Sequence, residues 1–243
     1  MKKITSAMLI LAFVTSTILG CKKKTTEEPV YKCTTCKTTP DAVAANDASN
    51  KGVYKGVIIG SSGTIKFDLS NTGTTITATM VLDGITATLT STVAIVAGTT
   101  YVGAFTGTWN GQPVSVTFSV NPTGQNPVVT AFNIPGHATS SFNIIKETSN
   151  QLIECFEGTY DSTRPEKGTF NIVLSRGLKI FSGSAKKDQG TVVNSFNGKI
   201  SDANKLIDAS DGKTLATLTG DVLAEVFVDG NNATITIKGK RTF

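Results

Sequence analysis

Charged side chains make up only 17% of the 243 residues, against roughly 25% in an average soluble domain. Threonine takes over the polar role at about one residue in six, which points to strands rather than helices. The chain is neither charge-rich nor poor in aliphatic residues, so intrinsic disorder is excluded. Aromatics stand at 7%, and no stripe of Lys and Arg interleaves with them; the formal charge of +5 therefore gives no nucleic-acid-binding pattern. There is a single histidine, His137, in the turn-like Ile134-Pro135-Gly136-His137, and no Gly-x-Ser-x-Gly elbow stands near it. That shortage argues against a histidine-based hydrolase. No apolar run reaches the roughly 20 residues of a membrane-spanning helix, and after Lys51 no capped helical stripe occurs. No cofactor is expected.

The amino terminus carries the most specific pattern. Lys2-Lys3 precede the apolar run Met8 to Val14, and the segment ends in Ile18-Leu19-Gly20-Cys21. An aliphatic residue, a variable one, a small one and then cysteine resembles the lipobox of bacterial lipoproteins. The resemblance implies cleavage before Cys21 and acylation of that residue, and two or three acyl chains hold a protein on a membrane where one does not. Lys22 is not the aspartate that resembles an inner-membrane retention signal, so the resemblance implies a bacterial outer-membrane location, periplasmic or surface-facing. The following Lys24-Thr25-Thr26-Glu27-Glu28 resembles the charged tethers of surface lipoproteins in Bacteroidota. Losing Lys2 and Lys3 with the signal takes the formal charge from +5 to +3.

This gives four segments: a signal over 1–20, a flexible tether over 21–51, and two β modules over 52–150 and 151–243. In the body the hydrophobic period is two. Ile76, Ala78, Met80 and Leu82 share a face against Thr77 and Thr79, and a second alternating run extends from Ile85 to Ile95. Between them Asp83-Gly84 is a hairpin signal, repeated at Asn110-Gly111, Asn197-Gly198, Asp211-Gly212 and Asp229-Gly230. A sequence repeat joins the halves: Gly52-Val53-Tyr54 with Gly63-Thr64-Ile65 matches Gly158-Thr159-Tyr160 with Gly168-Thr169-Phe170. The expected fold is all-β, an antiparallel meander in two related halves of seven or eight strands, each a small barrel or sandwich.

Beyond Cys21 the thiols are Cys33, Cys36 and Cys155, in a compartment where thiols oxidise. Cys33 and Cys36 lie in the tether, without the βαβ unit of a thioredoxin, so their spacing does not indicate a redox enzyme. Two pairings are open: a small Cys33–Cys36 ring, or a long bridge from one of them to Cys155. The long bridge is favoured because Cys155 precedes a strand that a docked tether would support. A zinc site adding His137 is chemically allowed, but the oxidising compartment argues against it, and no metal is expected. Asp161, Glu166, Asp208 and Asp211 fall on turns.

These features point to a lipid-anchored, non-catalytic binding or structural module of the cell envelope. It meets the membrane through its N-terminal lipid and presents a surface to a protein, glycan or apolar ligand. Two alternatives make different demands. A carboxylate-based hydrolase needs two carboxylates facing across a cleft, roughly 5 to 10 Å apart. A lipocalin-like carrier, with Gly107-Thr108-Trp109 resembling the Gly-x-Trp of that family, needs a closed barrel with an open apolar cavity of about 300 Å³ or more.

Overall fold

The computed structural model describes residues 30–59 and 63–243, so the signal segment and Cys21 lie outside the described residues. Residues Tyr31–Phe243 form one compact unit. Its first half holds β1 (Gly52–Ile59), β2 (Gly63–Leu69), β3 (Ile76–Leu82), β4 (Ile85–Thr90), β5 (Tyr101–Trp109), β6 (Gln112–Val120), β7 (Val128–Asn133) and β8 (Ser141–Glu147). The second holds β9 (Glu154–Ser162), β10 (Lys167–Ser175), β11 (Ile180–Lys187), β12 (Val193–Ile200), β13 (Lys205–Asp208), β14 (Thr214–Thr219), β15 (Val222–Val228) and β16 (Thr234–Arg241).

Successive strands pair antiparallel from β1 to β7 and from β9 to β16, and the last strand of each half returns to the first, β8 onto β1 and β16 onto β9. The expected two-half antiparallel meander is therefore the observed fold, with eight strands in each half. The second half closes completely, because β15 and β16 pair along their length from Val222↔Lys240 to Val228↔Thr234. The first half stops one pair short. Its sheet runs β7-β6-β5-β4-β3-β2-β1-β8, and at the seam the Phe132 and Phe142 rings meet edge to face at 5.3 Å instead of a backbone ladder.

Turn chemistry explains part of the layout. Asp83 and Gly84 have φ of 49° and 76°, Asn110 and Gly111 of 47° and 74°, the two positive values that a type I′ turn demands. Three other expected turns come out differently. Asp211-Gly212 and Asp229-Gly230 sit in five-residue loops, and Asn197-Gly198 lies inside β12, where Gly198 pairs with Asp208 and Phe181. That glycine is required by crowding, since a Cβ there would fall 1.9 Å from the Ile207 carbonyl oxygen. The run from Ile85 also ends early: β4 stops at Thr90, and residues 91–96 are irregular.

The sequence repeat falls on equivalent strands but not in equivalent registers. Gly63 pairs with Ile58, six residues after Gly52, whereas Gly168 pairs with Tyr160, only two after Gly158. The second-half glycines make room for rings that lie across them. A Cβ at Gly158 would come 2.5 Å from the tip of Phe170, and one at Gly168 2.7 Å from the Tyr160 ring.

The first barrel is filled by its own side chains. Phe67 stacks on Phe118 at 4.3 Å and meets Phe105 edge-on at 5.0 Å, all three fully buried. Burying one such side chain is worth about 1.5–3 kcal/mol. Strand β1 shows no alternation, because it is buried on both faces. Tyr54 and Ile58 enter the first core, while Val57 and Ile59 pack against Ile153, Cys155 and Val173 at the base of the second barrel. Asn171 donates to the Ile58 carbonyl at 2.8 Å, and Asn143 hydrogen-bonds Ser182 and Ser184 at 2.9 Å each, which fixes the barrels side by side.

The expected flexible tether over 21–51 does not describe its second part. From Tyr31 to Lys51 the chain is strapped onto both barrels. The Tyr31 hydroxyl donates to the Arg241 carbonyl, the Cys33 amide to Asp221, and Arg241 to the Lys37 carbonyl. Further on, Asn46 and Asn71 are buried against each other, and Lys146 donates to the carbonyls of Asn46, Ser49 and Lys51. Composition alone misread this segment, because its polar side chains are spent on the body's own carbonyls and carboxylates.

Candidate functional site

The closed second barrel leaves a cavity at one end. Its floor is the packed layer of Phe156, Leu174, Phe181, Leu206, Leu218 and Leu223. Above it the rings of Tyr160, Phe170, Phe196 and Phe227 and the aliphatic chains of Ile172, Ala185, Leu215, Ala216, Ile235 and Ile237 enclose about 240 Å³ of space. Seven of the eight strands contribute by period-two alternation, except that β14 presents the adjacent Leu215 and Ala216 at its register shift, so closure of the barrel itself makes the wall. The mouth opens between the β9–β10, β11–β12, β13–β14 and β15–β16 loops, away from the strap, which docks at the Asp221 and Arg241 end. Among the lining residues only Asn194 and Tyr160 bear polar groups. Burial, with Glu166 and Asp188 nearby, pushes the Tyr160 phenol up, so it stays protonated at neutral pH.

The wall of this cup is split on one side. Strands β14 and β15 pair only from Thr219↔Val222 to Thr217↔Ala224, although both run on towards the mouth. Glu225 sits at the split: its carboxylate accepts the Thr217 hydroxyl at 2.8 Å and the Val226 amide at 3.2 Å. On the other side of β14 the register shifts from Leu206↔Ala216 to Ile207↔Thr214, which leaves Leu215 as an extra residue of β14.

A second cavity of about 360 Å³ lies where the strap crosses the first barrel, lined by Lys37, Asp41, Lys55, Lys66 and Phe243. Here Asp41 receives Lys37 at 3.2 Å, Lys66 at 2.9 Å and Lys55 at 3.4 Å, while Lys55 meets Glu147 at 2.6 Å. Burial would raise the Asp41 carboxyl, but the hydrogen bond from Lys66 and the charge of Lys55 outweigh it and hold it at about 2. Asp41 and Glu147 thus bracket one ammonium, with Glu147 fully buried. A carboxylate held at that value does not donate a proton near neutrality, so Asp41 is not a general acid.

The remaining candidates are placed as follows. Cys33 and Cys36 are bonded to each other, Cα to Cα 5.4 Å, and Cys155 is a buried free thiol, so the long bridge favoured from sequence is not formed. The strap reaches the second barrel at Asp221 and Arg241, and Cys155 is covered instead by Val57, Ile59 and Val173. His137 lies 3.3 Å from Asp83 and edge-on to Trp109 at 5.2 Å, tying the seam loop to the β3–β4 turn. Asp161 and Glu166 are on the surface near the mouth, and Asp208 and Asp211 cap their own loop through Ser210 and Lys213. Among the described residues, no group of three His, Cys, Asp or Glu side chains gathers as metal ligands would. The cup was not singled out from sequence; its signal was the aromatic and aliphatic content of inward positions next to strand glycines.

No protein family, curated protein or solved structure matches this chain.

Proposed function

We propose that this chain is a non-catalytic binding protein of the bacterial outer membrane, anchored through an acylated Cys21, in which the mouth of the second barrel takes a small apolar ligand. The observation that carries the reading is the cup. It is an apolar, four-ring cavity inside the closed second barrel, whereas the first barrel's interior is filled. At about 240 Å³ it falls below the 300 Å³ expected of a carrier for drug-sized molecules. With a liquid-like volume of about 30 Å³ for a water-sized group, it suits a ligand moiety of about eight heavy atoms. The first barrel and strap serve as support and spacer.

The test is methyl NMR of the chain titrated with toluene. Shifts at the Ile172, Ile235 and Ile237 methyls, without shifts at Ile65 or Ile76 of the first barrel, support the reading. Silence at the cup, or equal response in both barrels, overturns it. Ala185→Phe, which fills the cup, abolishes the response. Mass spectrometry of the mature amino terminus tests the anchor separately: an unmodified Cys21 removes it.

A further inference from the structure

The split between β14 and β15 has more to it than a fault in the wall. Ile237 lines the cup on the inside and also a surface hollow on the outside, together with Thr217, Ala224, Glu225 and Val226. Ile237 is paired with Glu225 in the β15–β16 ladder, so beside the split a single strand separates the two spaces. By alternation Glu225 belongs to the lining face with Leu223 and Phe227, but its carboxylate turns into the gap to reach Thr217 on the neighbouring strand. A carboxylate has about four acceptor positions. Thr217 and the Val226 amide occupy two, and the side chain is only partly buried, so acceptor capacity remains in the gap.

From this, and resting on the apolar cup proposed above, we infer that the split is a lateral window and that Glu225 is its specificity-determining residue, selecting ligands whose apolar group carries a cationic amine. The ring or branched chain occupies the cup, and the ammonium lies in the window against Glu225. Among the described residues lining the hollow, the one other charged side chain is Lys238, and it favours the opposite ligand if it governs the site.

The experiment titrates the full chain with benzylamine, benzyl alcohol, benzoate and toluene by isothermal calorimetry and methyl NMR. The expected result is benzylamine binding at least tenfold tighter than benzoate, with shifts at Ile237 and Thr217. In Glu225→Gln this preference collapses to within about threefold while toluene binding is unchanged, and Glu225→Asp retains part of it. Equal affinities for benzylamine and benzoate, or a preference for benzoate, overturn the window's assignment but leave the cup standing. Failure of toluene and all three relatives to bind overturns the cup itself. Should the glutamine variant not fold, the ranking of the probes on the unaltered chain still decides.

Discussion

The Lys55 ammonium and the Glu147 carboxylate meet at 2.6 Å with side-chain exposures of 1% and 0%. They join β1 to β8, the pair that returns the first sheet upon itself. A buried ion pair is weak evidence of stability, because desolvation offsets most of the attraction, yet removing one partner leaves a naked charge. Lys55→Met is therefore expected to destabilise the protein by about 3–5 kcal/mol. Glu147 also accepts the Asp41 amide at Oε1 and the Ile153 amide at Oε2, so Glu147→Gln keeps the shape but can still receive only one of the two. The double variant Lys55→Met/Glu147→Gln is expected to be more stable than the sum of the singles by at least about 1 kcal/mol. Urea unfolding of the four proteins measures it, and strict additivity contradicts the coupling.

Asp41 fixes the strap over the same pair, and its charge makes the strap sensitive to acid. Its folded value of about 2 lies below the ordinary 3.8, so its stabilisation is complete above pH 4 and drains away as pH falls towards 2. The side chain is 18% exposed, and a shift of this size corresponds to about 2 kcal/mol. Melting temperatures recorded from pH 5 to pH 2 are expected to fall less steeply in Asp41→Asn than in the parent. Parallel slopes mean that Lys37, Lys55 and Lys66 do not hold the strap through this carboxylate.

These groups also show where the sequence was legible. Period-two alternation and the Asp83-Gly84 and Asn110-Gly111 dipeptides gave the strand-and-turn grammar, since both are local properties of a pleated chain. The strap was misread because its order comes from partners far along the chain: Asp221, Arg241 and Glu147. The position of the cup depends on closure, which no local pattern encodes, and Glu225, which reaches across the split to Thr217, reads in sequence as an ordinary charge on a strand. The missing β7–β8 pair has no local sign either, because those strands look no different from the β15–β16 pair that closes.

Turn position, not dipeptide identity, sets the cost of losing an asparagine. Asn110 has φ of 47°, where an L residue with a Cβ is strained, so Asn110→Ala is expected to cost about 1–2 kcal/mol and Asn110→Gly close to nothing. Asn197, in the same Asn-Gly pair, is an exposed strand residue, and Asn197→Ala is expected to change stability by less than about 0.5 kcal/mol. Denaturant midpoints of the three variants test the contrast. Equal losses at the two alanine sites rule it out.

The three cysteines of the described body are expected to separate cleanly by reactivity. Cys155 is fully buried between the barrels, and burial pushes its thiol up, far from the thiolate that reagents attack. It should stay silent to an aromatic disulfide reagent in native buffer and react only in denaturant. Cys33 and Cys36 close a ring of a few residues, half-buried on the strap, so a phosphine reductant should release two titratable thiols without unfolding the body. Loop entropy sets the stabilisation from so short a ring at about 2 kcal/mol or less, against 4–5 kcal/mol for a bridge to Cys155. The hydrogen bonds from Cys33 to Asp221 and from Arg241 to Lys37 hold the strap independently of the sulfurs. Urea midpoints with and without reductant should therefore differ little. A collapse on reduction, or a native thiol count with Cys155 modified, would mean that the barrels meet more loosely than the Val57, Ile59 and Val173 packing describes.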